Sequence, residues 1–349
     1  MTQPLELGID TFGDVTAEAD GSLTPHGKVI RNLVDEAVLA DQVGVDFFGV
    51  GEHHRTDFAI SAPEIVMAAI AARTSRIRIG TAVTVLSSDD PVRLFQRLST
   101  LDAISSGRAE LILGRGSFIE SFPLFGYELS QYEVLFEEKL DLFVKLLREE
   151  SVTWKGTTRA PLSRQKVYPR PDSQRLKAWI GVGGSPESVV RAVAHELPMM
   201  LAIIGGDPRR FKPYVDLYHR AWAQVGKPAL ALGVHSPGCV AATDKAAREA
   251  YWPGYKKLRD KIGAERGWPP MQPHEFEQEI THGSLYLGSP ETVARKIVAT
   301  VQTLGLQRFE MKYSGGPMRQ SHMMTSIRLY GEKVMPMVRD MLASSRKIA

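Results

Sequence analysis

Apolar segments of strand length alternate with segments of helical periodicity along the whole 349-residue chain. Eight of the apolar segments have the length and pattern of strands. They are Leu5–Asp10, Val45–Gly51, Ile77–Leu86, Ala109–Leu113, Ala178–Val182, Met199–Ile204, Leu230–Ala241 and Phe309–Tyr313. Eight strands with helices between them favour a closed α/β barrel, although a doubly wound sheet alternates in the same way. We therefore predict a (β/α)8 TIM barrel with insertions.

Helical segments fill most of the intervals between these strands. They are predicted at about Pro25–Gln42, at Pro63–Arg73, from Pro91 to Gly107, at Tyr132–Arg148, and from starts near Pro186, Pro208, Asp244 and Arg319. Two intervals exceed an ordinary connection. Residues 150–177 are expected to form a hairpin, and residues 251–283 are expected to form a lid over the barrel. Residues 1–349 are thus expected to form one barrel domain with two excursions.

The composition is that of an ordinary globular protein, with 43% hydrophobic and 24% charged residues. The formal net charge of +3 and the dispersed basic residues argue against a nucleic-acid or membrane-surface partner. Cys239 is the lone cysteine, which excludes an intrachain disulfide and a cysteine-rich metal site. No apolar run approaches the roughly 18 residues that would span a bilayer. These features predict a protein of the reducing cytoplasm.

Four titratable residues follow the second predicted strand in the run Glu52-His53-His54-Arg55. In an α/β barrel the active site lies where strands end and the following loops begin. Histidine titrates near neutral pH and can donate or accept a proton there. Hydrogen-bonded loop histidines are the structural alternative. Metal ligation is a further alternative, but no later cluster of histidine and aspartate has convincing ligand spacing, so no metal is predicted.

The third predicted strand ends in small residues, including Thr81, Ala82 and Val83 after Gly80. Small side chains at a strand end leave room for a flat ring to approach the backbone. A small-residue layer that closes the barrel interior would give the same pattern. The segment therefore indicates a candidate ring site only in combination with other signals.

Two segments have the chemistry of a phosphate site. Arg115 lies between Gly114 and Gly116, and its guanidinium is a permanently charged fork that suits phosphate. The turn Gly183-Gly184-Ser185-Pro186 combines glycines, a serine N-cap and a proline at the first helical position. Its free backbone N–H groups make it a candidate anion site. A surface ion pair is the alternative for Arg115. The turn is also a weak signal alone, because Gly288-Ser289-Pro290-Glu291 repeats it.

Taken together, these segments resemble the luciferase-like flavin monooxygenase family, over almost the whole chain and in the same order. The second strand with its Glu-His-His ending matches the family, and so do Gly80–Leu86 and Asp90–Arg93. The run Leu101–Arg108, of the form Leu-Asp-x-x-Ser-x-Gly-Arg, is the most specific signal. Gly114–Gly116 and Glu196–Met199 also fit the pattern.

The resemblance implies a barrel that holds reduced FMN, which reacts with oxygen, and an unknown small organic substrate. His53 would act near the flavin, with Glu52 or His54 as orienting partners. A non-proline cis peptide at Ala82–Val83 would support the ring, with Thr81 beside it. Arg115 and the turn at Gly183, Gly184 and Ser185 would hold the phosphate. A separate flavin reductase would supply the reduced FMN, and the family favours a homodimer or a dimer-based oligomer.

The chain also departs from the luciferase pattern. Gly114 replaces a cysteine, Gly183-Gly184 replaces a Glu-Ser turn, and residues 251–283 do not align with the luciferase lid. Light emission and a long-chain aldehyde substrate are therefore not expected.

Three other functions remain open at this point. They are a deazaflavin-dependent dehydrogenase on the same barrel, a flavin-binding protein without catalysis, and a metal-dependent hydrolase on an α/β barrel. A built-in nicotinamide domain is not expected, since no Gly-x-Gly-x-x-Gly opens a helix after a strand.

Overall fold

Eight parallel strands close into a barrel in the computed structural model, which describes residues 5–116, 118–172 and 176–348. The strands are β1 (Glu6–Thr11), β2 (Phe47–Val50), β3 (Arg78–Thr81), β4 (Ala109–Gly114), β5 (Lys177–Val182), β6 (Met199–Ala202), β7 (Leu232–Val240) and β8 (Arg308–Lys312). Each strand pairs with the next in chain order, and β8 pairs with β1 to complete the circle. The predicted (β/α)8 TIM barrel is confirmed.

Helices surround the barrel. They are α1 (His26–Gln42), α2 (Pro63–Arg73), α3 (Pro91–Ile104), α4 (Tyr132–Arg148), α5 (Pro186–Ala194), α6 (Lys212–Gln224), α7 (Asp244–Arg266), α8 (Pro273–Thr281), α9 (Pro290–Leu304), α10 (Gln320–Leu329) and α11 (Met335–Ile348). Proline opens several of them, where its missing N–H is not needed. Helix α9 was not predicted, although Ser289 caps it in the same way as Ser185 caps α5. In the described ranges, none of the helices combines the length and apolar character needed to cross a membrane.

The third predicted strand, Ile77–Leu86, is interrupted at Ala82–Val83, where the resemblance places the cis peptide. Gly80 pairs with Glu110 and Thr84 pairs with Leu113, so β3 carries one more residue than β4 between these pairs. Such an extra residue is a β-bulge, and it interrupts the ladder at Ala82–Val83. The strand resumes only as the two-residue segment Thr84–Val85.

The two long intervals have regular structure. Ser151–Trp154 and Leu162–Lys166 pair as an antiparallel hairpin, as predicted, while residues 173–175 of that interval lie outside the described residues. The interval at residues 251–283 is largely helical, and it continues α7 and then forms α8. Helix α7 begins at Asp244, where the sequence predicted a helix start.

Large side chains inside the barrel fit against glycines on neighbouring strands. A Cβ atom at Gly80 would lie 2.7 Å from the ring of Phe47, and one at Gly233 would lie 2.6 Å from the Met200 methyl group. Ile112, Trp179, Met200 and Ala82 form a separate apolar cluster. Interiors are close-packed, so each large residue requires a small partner.

The amino-terminal end of the barrel is filled by a buried ionic network around Arg308. This fully buried guanidinium lies 2.7 Å from Glu110 and 3.3 Å from Glu310, and its Nε donates to Glu6 at 2.6 Å. The rings of Phe47 and Trp179 lie within 4.6 Å of the guanidinium carbon. A buried charge is stable only when it is paired and hydrogen-bonded, and Arg308 meets both conditions.

We expect Arg308→Met to lower the free energy of unfolding by about 3–5 kcal/mol, because it removes the buried cation that bonds to Glu110 and Glu310 and, among the described residues, leaves Glu310 without an ion-pair partner. Arg328→Met is the control, since Arg328 forms an exposed pair with Glu332 that contributes about 0–1 kcal/mol. Urea unfolding of both variants measures the difference. Equal losses in the two variants would contradict a dominant role for the buried network.

Candidate functional site

A cavity of about 360 Å³ opens at the carboxyl ends of the barrel strands. Six of the residues predicted for the site line it, namely Glu52, His53, Ala82, Val83, Arg115 and Gly183. Four others, His54, Thr81, Gly184 and Ser185, lie next to it without lining it. The volume is within the range of cavities that enclose small ligands.

The bulge after β3 forms one wall of the cavity. The Ala82–Val83 peptide bond is cis, which confirms the prediction made from the resemblance. The Val83 side chain packs against Gly114, where a Cβ atom would lie 2.5 Å from Val83 Cγ2. The departure from the luciferase pattern at Gly114 therefore has a physical cause, because any side chain there would collide with the bulge.

His53 lies in the cavity wall among three aromatic rings. Its ring centroid is 4.7 Å from that of Phe12, 4.5 Å from that of Phe58 and 4.9 Å from that of Phe118. Its backbone N–H donates to Ile60 at 2.9 Å, which fixes the loop after β2. These contacts hold the imidazole in one place and keep water from its apolar side.

Burial lowers the pKa of His53 to about 3, and the charge of Asp14 opposes this shift only in part. The imidazole is therefore neutral at physiological pH. A neutral imidazole still has one N–H donor and one acceptor nitrogen. His53 can thus hydrogen-bond a ligand, but it is not a proton donor in the imidazolium form.

Glu52 and His54 form a pair beside the cavity. His54 Nε2 lies 3.4 Å from Glu52 Oε1, and the His54 ring contacts Phe125 with centroids 5.1 Å apart. Of the two histidines, His53 is the one that lines the cavity. The role of Glu52 or His54 as an orienting partner of His53 stays a prediction.

Arg115 marks one end of the cavity. Its guanidinium contacts the Glu133 carboxylate, donates to Ser188 Oγ at 3.4 Å and stacks on the Tyr132 ring at 5.2 Å. The pair with Glu133 is the surface ion pair that sequence analysis kept as an alternative. Glu133 is largely exposed, however, so a bound anion can compete with it for the guanidinium.

The turn before α5 supplies the other half of this end. Ser185 is the N-cap, and its hydroxyl accepts from Ser188 N at 3.3 Å and donates to Ser188 Oγ at 2.9 Å. Gly183 lines the cavity, and no atom lies within 4 Å of a Cβ built on it. Ser188 also lines the cavity, so its hydroxyl, and not that of Ser185, faces the interior. We call Arg115, Gly183 and Ser188 the anion end.

Thr81 is buried beneath the cavity. Its hydroxyl donates to the Ile112 carbonyl at 3.2 Å and accepts from Ile112 N at 3.1 Å. These bonds join β3 to β4 just below the bulge. A contact between Thr81 and a cofactor stays a prediction.

Sequence analysis missed the opposite end of the cavity. Phe12, His235 and Glu310 line it, and His235 Nδ1 lies 2.8 Å from Asp10 Oδ2. These residues belong to the first, seventh and eighth strands or follow them directly, whereas the predicted site residues lie at the ends of the second to fifth strands. Strand alternation places Asp10 and Phe12 on one side of the chain, but it does not bring them together with His235 and Glu310.

Arg55 joins its own loop to two other segments beside the cavity. Its guanidinium contacts Glu120 after β4, reaches Glu265 of α7 at 2.5 Å and lies 4.5 Å from the Phe118 ring. Lys261 of α7 adds a bond to Asp57 at 2.6 Å. Helix α7 therefore lies against the loop that carries the histidines, and its role as a lid stays a prediction.

The chain matches the luciferase-like monooxygenase family over residues 11–308. The chain belongs to this family. It is 28% identical over 193 residues to the alkanal monooxygenase alpha chain of the Kryptophanaron alfredi symbiont, a match that covers 55% of this chain and 54% of that relative. Family membership makes this a flavin-dependent enzyme.

Solved structures share the fold. Monooxygenase RslO1 from Streptomyces bottropensis has a TM-score of 0.82 at 22% identity, with 95% of this chain and 99% of that chain covered. The oxygenating constituent of 3,6-diketocamphane monooxygenase from Pseudomonas putida, in complex with FMN, has a TM-score of 0.77 at 18% identity and coverages of 96% and 99%. An F420-dependent secondary alcohol dehydrogenase has a TM-score of 0.73 at 17% identity and coverages of 97% and 100%.

Among the described residues, no group of three or more histidine, cysteine, aspartate or glutamate side chains is arranged to hold a metal ion.

The lowered pKa of His53 predicts a stability effect. Between pH of about 6.5 and 3 the unfolded chain binds a proton at His53 and the folded chain does not, so acidification favours unfolding. We expect His53→Gln to abolish up to about 2 kcal/mol of the loss in unfolding free energy between about pH 7 and pH 5. Urea unfolding at both pH values measures it. The exposed His274→Gln variant is the control, and an unchanged pH dependence in His53→Gln would contradict the assignment.

Proposed function

We propose that this enzyme is an FMN-dependent monooxygenase that uses reduced FMN and oxygen on a small organic substrate. The observation that carries the proposal is the anion end, which lies in the same cavity as the bulge at Ala82–Val83 and the neutral imidazole of His53. The anion end suits a phosphate, the bulge suits a flat ring, and His53 lies where a substrate could react. Bound reduced FMN would supply the electrons for oxygen chemistry.

The anion end would hold the phosphate. Arg115 supplies a charged fork, Ser188 a hydroxyl and α5 its positive amino-terminal dipole. The absence of a side chain at Gly183 and Gly184 lets an anion approach the backbone N–H groups. The phosphate would replace Glu133 as the partner of Arg115.

The aromatic wall around His53 would exclude water from the reacting position. Phe12, Phe58 and Phe118 leave the imidazole in an apolar surrounding where a hydrogen bond is stronger than in water. His53 would hold a proton in place between its ring nitrogen and the substrate or oxygen. Its low pKa suits a hydrogen-bond donor and acceptor that stays uncharged.

Further parts of the proposal concern partners. A separate flavin reductase would deliver reduced FMN, because the sequence has no dinucleotide-binding fingerprint of its own. We also propose a homodimer or dimer-based oligomer in the cytoplasm and a single barrel domain, on the resemblance and composition described above.

A deazaflavin-dependent dehydrogenase is the second candidate. The F420-dependent alcohol dehydrogenase that shares this fold favours it, and an F420-dependent glucose-6-phosphate dehydrogenase is 33% identical over 164 residues. The anion end does not discriminate between FMN and F420, since both cofactors carry phosphate. The reaction with oxygen distinguishes the two cofactors, because a reduced deazaflavin transfers hydride and does not activate oxygen.

We expect Arg115→Ala to weaken FMN binding about ten- to hundredfold while riboflavin binding changes little, because one charged hydrogen bond contributes roughly 1.5–3 kcal/mol. Fluorescence titration of both ligands measures the dissociation constants. Arg248→Ala, which removes a surface pair with Glu277, is the control. Equal weakening for FMN and riboflavin in Arg115→Ala would exclude Arg115 from the phosphate site.

The choice of cofactor is tested with purified wild-type protein. We expect reduced FMN to bind and F420 to bind more weakly, and oxygen to be consumed with a substrate from a panel containing an alkanal, 3,6-diketocamphane and an N-acetyl-S-alkylcysteine. Oxygen uptake and product mass measure turnover. Tight binding of F420 with no binding of FMN would favour the dehydrogenase and overturn the proposal.

A further inference from the structure

Three polar side chains lie together at the end of the cavity that faces the anion end. His235 of β7 and Glu310 of β8 are paired in register, and Asp10 of β1 bonds to His235 Nδ1 at 2.8 Å. We call these three residues the polar floor. Asp10 and Glu310 are fully buried, and His235 is 8% exposed. The barrel makes room for them, since a Cβ atom at Gly8 would lie 3.2 Å from Glu310 Cγ.

Two carboxylate oxygens of the polar floor have no partner among the described residues. They are Asp10 Oδ1 and Glu310 Oε2. Buried polar atoms are normally hydrogen-bonded, so an orphaned atom in a cavity wall needs a partner from elsewhere. Glu310 lines the cavity directly, whereas Asp10 lies behind His235. Because Asp10 engages Nδ1, only Nε2 of His235 is left for a molecule in the cavity.

The protonation state of Glu310 follows from its surroundings. Burial raises the pKa of Glu310 to about 8, the Arg308 guanidinium opposes this, and Asp10 and Glu110 raise it further. His235 is the other titratable group that faces it, from β7. The raised pKa favours the carboxylic acid form of Glu310, which has one O–H donor. It offers a hydrogen bond without adding negative charge to the cavity.

The location of the polar floor matches the chemistry of a flavin ring. An isoalloxazine is apolar along its benzene edge and polar along its pyrimidine edge. Ile112, Met200 and Ala202 also line the cavity, and they offer no side-chain hydrogen bonds. With the phosphate at the anion end, the polar floor offers hydrogen bonds to the pyrimidine edge.

We propose that Glu310, supported by the His235–Asp10 pair, makes this cavity prefer the reduced flavin over the oxidised flavin. The inference rests on the proposed function and assigns a cofactor-binding residue to it. Reduction makes the pyrimidine edge anionic, since the reduced ring gives up the proton on N1. A neutral acid donates to that anion more strongly than to the neutral oxidised ring. Ionised Glu310 would instead repel it.

The test compares the dissociation constants of reduced and oxidised FMN, measured without oxygen from about pH 7 to about pH 9.5. In the wild type, the preference for reduced FMN should fall as Glu310 ionises, about tenfold for each pH unit above its pKa. The ratio of the two constants cancels the ionisation of the phosphate. This measurement needs no variant, so it stands even if a substitution prevents folding.

Two variants sharpen the test. Glu310→Gln keeps an N–H donor at every pH and should retain the preference without its pH dependence. Asp10→Asn removes a charge that raises the pKa of Glu310, so the fall in preference should begin at lower pH. Glu36→Gln is the matched control, because Glu36 is also a buried acid, with a pKa that burial raises to about 7, but it bonds to Tyr313 outside the cavity. It should behave as the wild type.

The outcomes separate the two proposals. A preference that stays constant with pH in the wild type, or that falls equally in Glu310→Gln, overturns the role of Glu310 and leaves FMN binding intact. Failure of FMN to bind in either redox state overturns the proposed function itself, and the role of Glu310 with it.

Discussion

The guanidinium of Arg308 lies inside the barrel between two aromatic rings, with a glutamate from each of three strands around it. A small barrel must fill its interior with side chains, and this one fills its amino-terminal end with charge. Arg308 also contacts Glu310, which lines the cavity above the network. The network therefore influences whether Glu310 is charged. Removal of any member changes both the packing and the electrostatics of the site.

The sequence predicted the barrel because its signals are periodic and local. Strand and helix lengths, prolines at helix starts and the run at Leu101–Arg108 all depend on residues near one another in the chain. Strand propensity did not predict the break in the third strand, since Ala82 and Val83 have ordinary strand propensity, and only the family resemblance predicted a cis peptide there. The break depends on the register with β4, which is a non-local property.

The same distinction applies to the site. His53, Arg115 and Gly183 were found because each follows a strand and has a distinctive local pattern. Ser188 was missed, because its role depends on the helical turn that brings it back over Ser185. His235, Asp10 and Glu310 were missed because each is unremarkable within its own strand. Only closure of the barrel brings β7, β8 and β1 together and turns three isolated polar residues into a group.

The ion pairs of Arg55 beside the cavity are more exposed to solvent than the ion pairs inside the barrel. The interior is fixed by buried pairs and close packing, whereas Glu265, one of the partners of Arg55, is substantially exposed. Exposed ion pairs weaken as dissolved salt screens them, and buried pairs hardly change. Added salt should therefore weaken the contacts that join Arg55 to helix α7 while leaving the buried pairs of the barrel interior nearly unchanged.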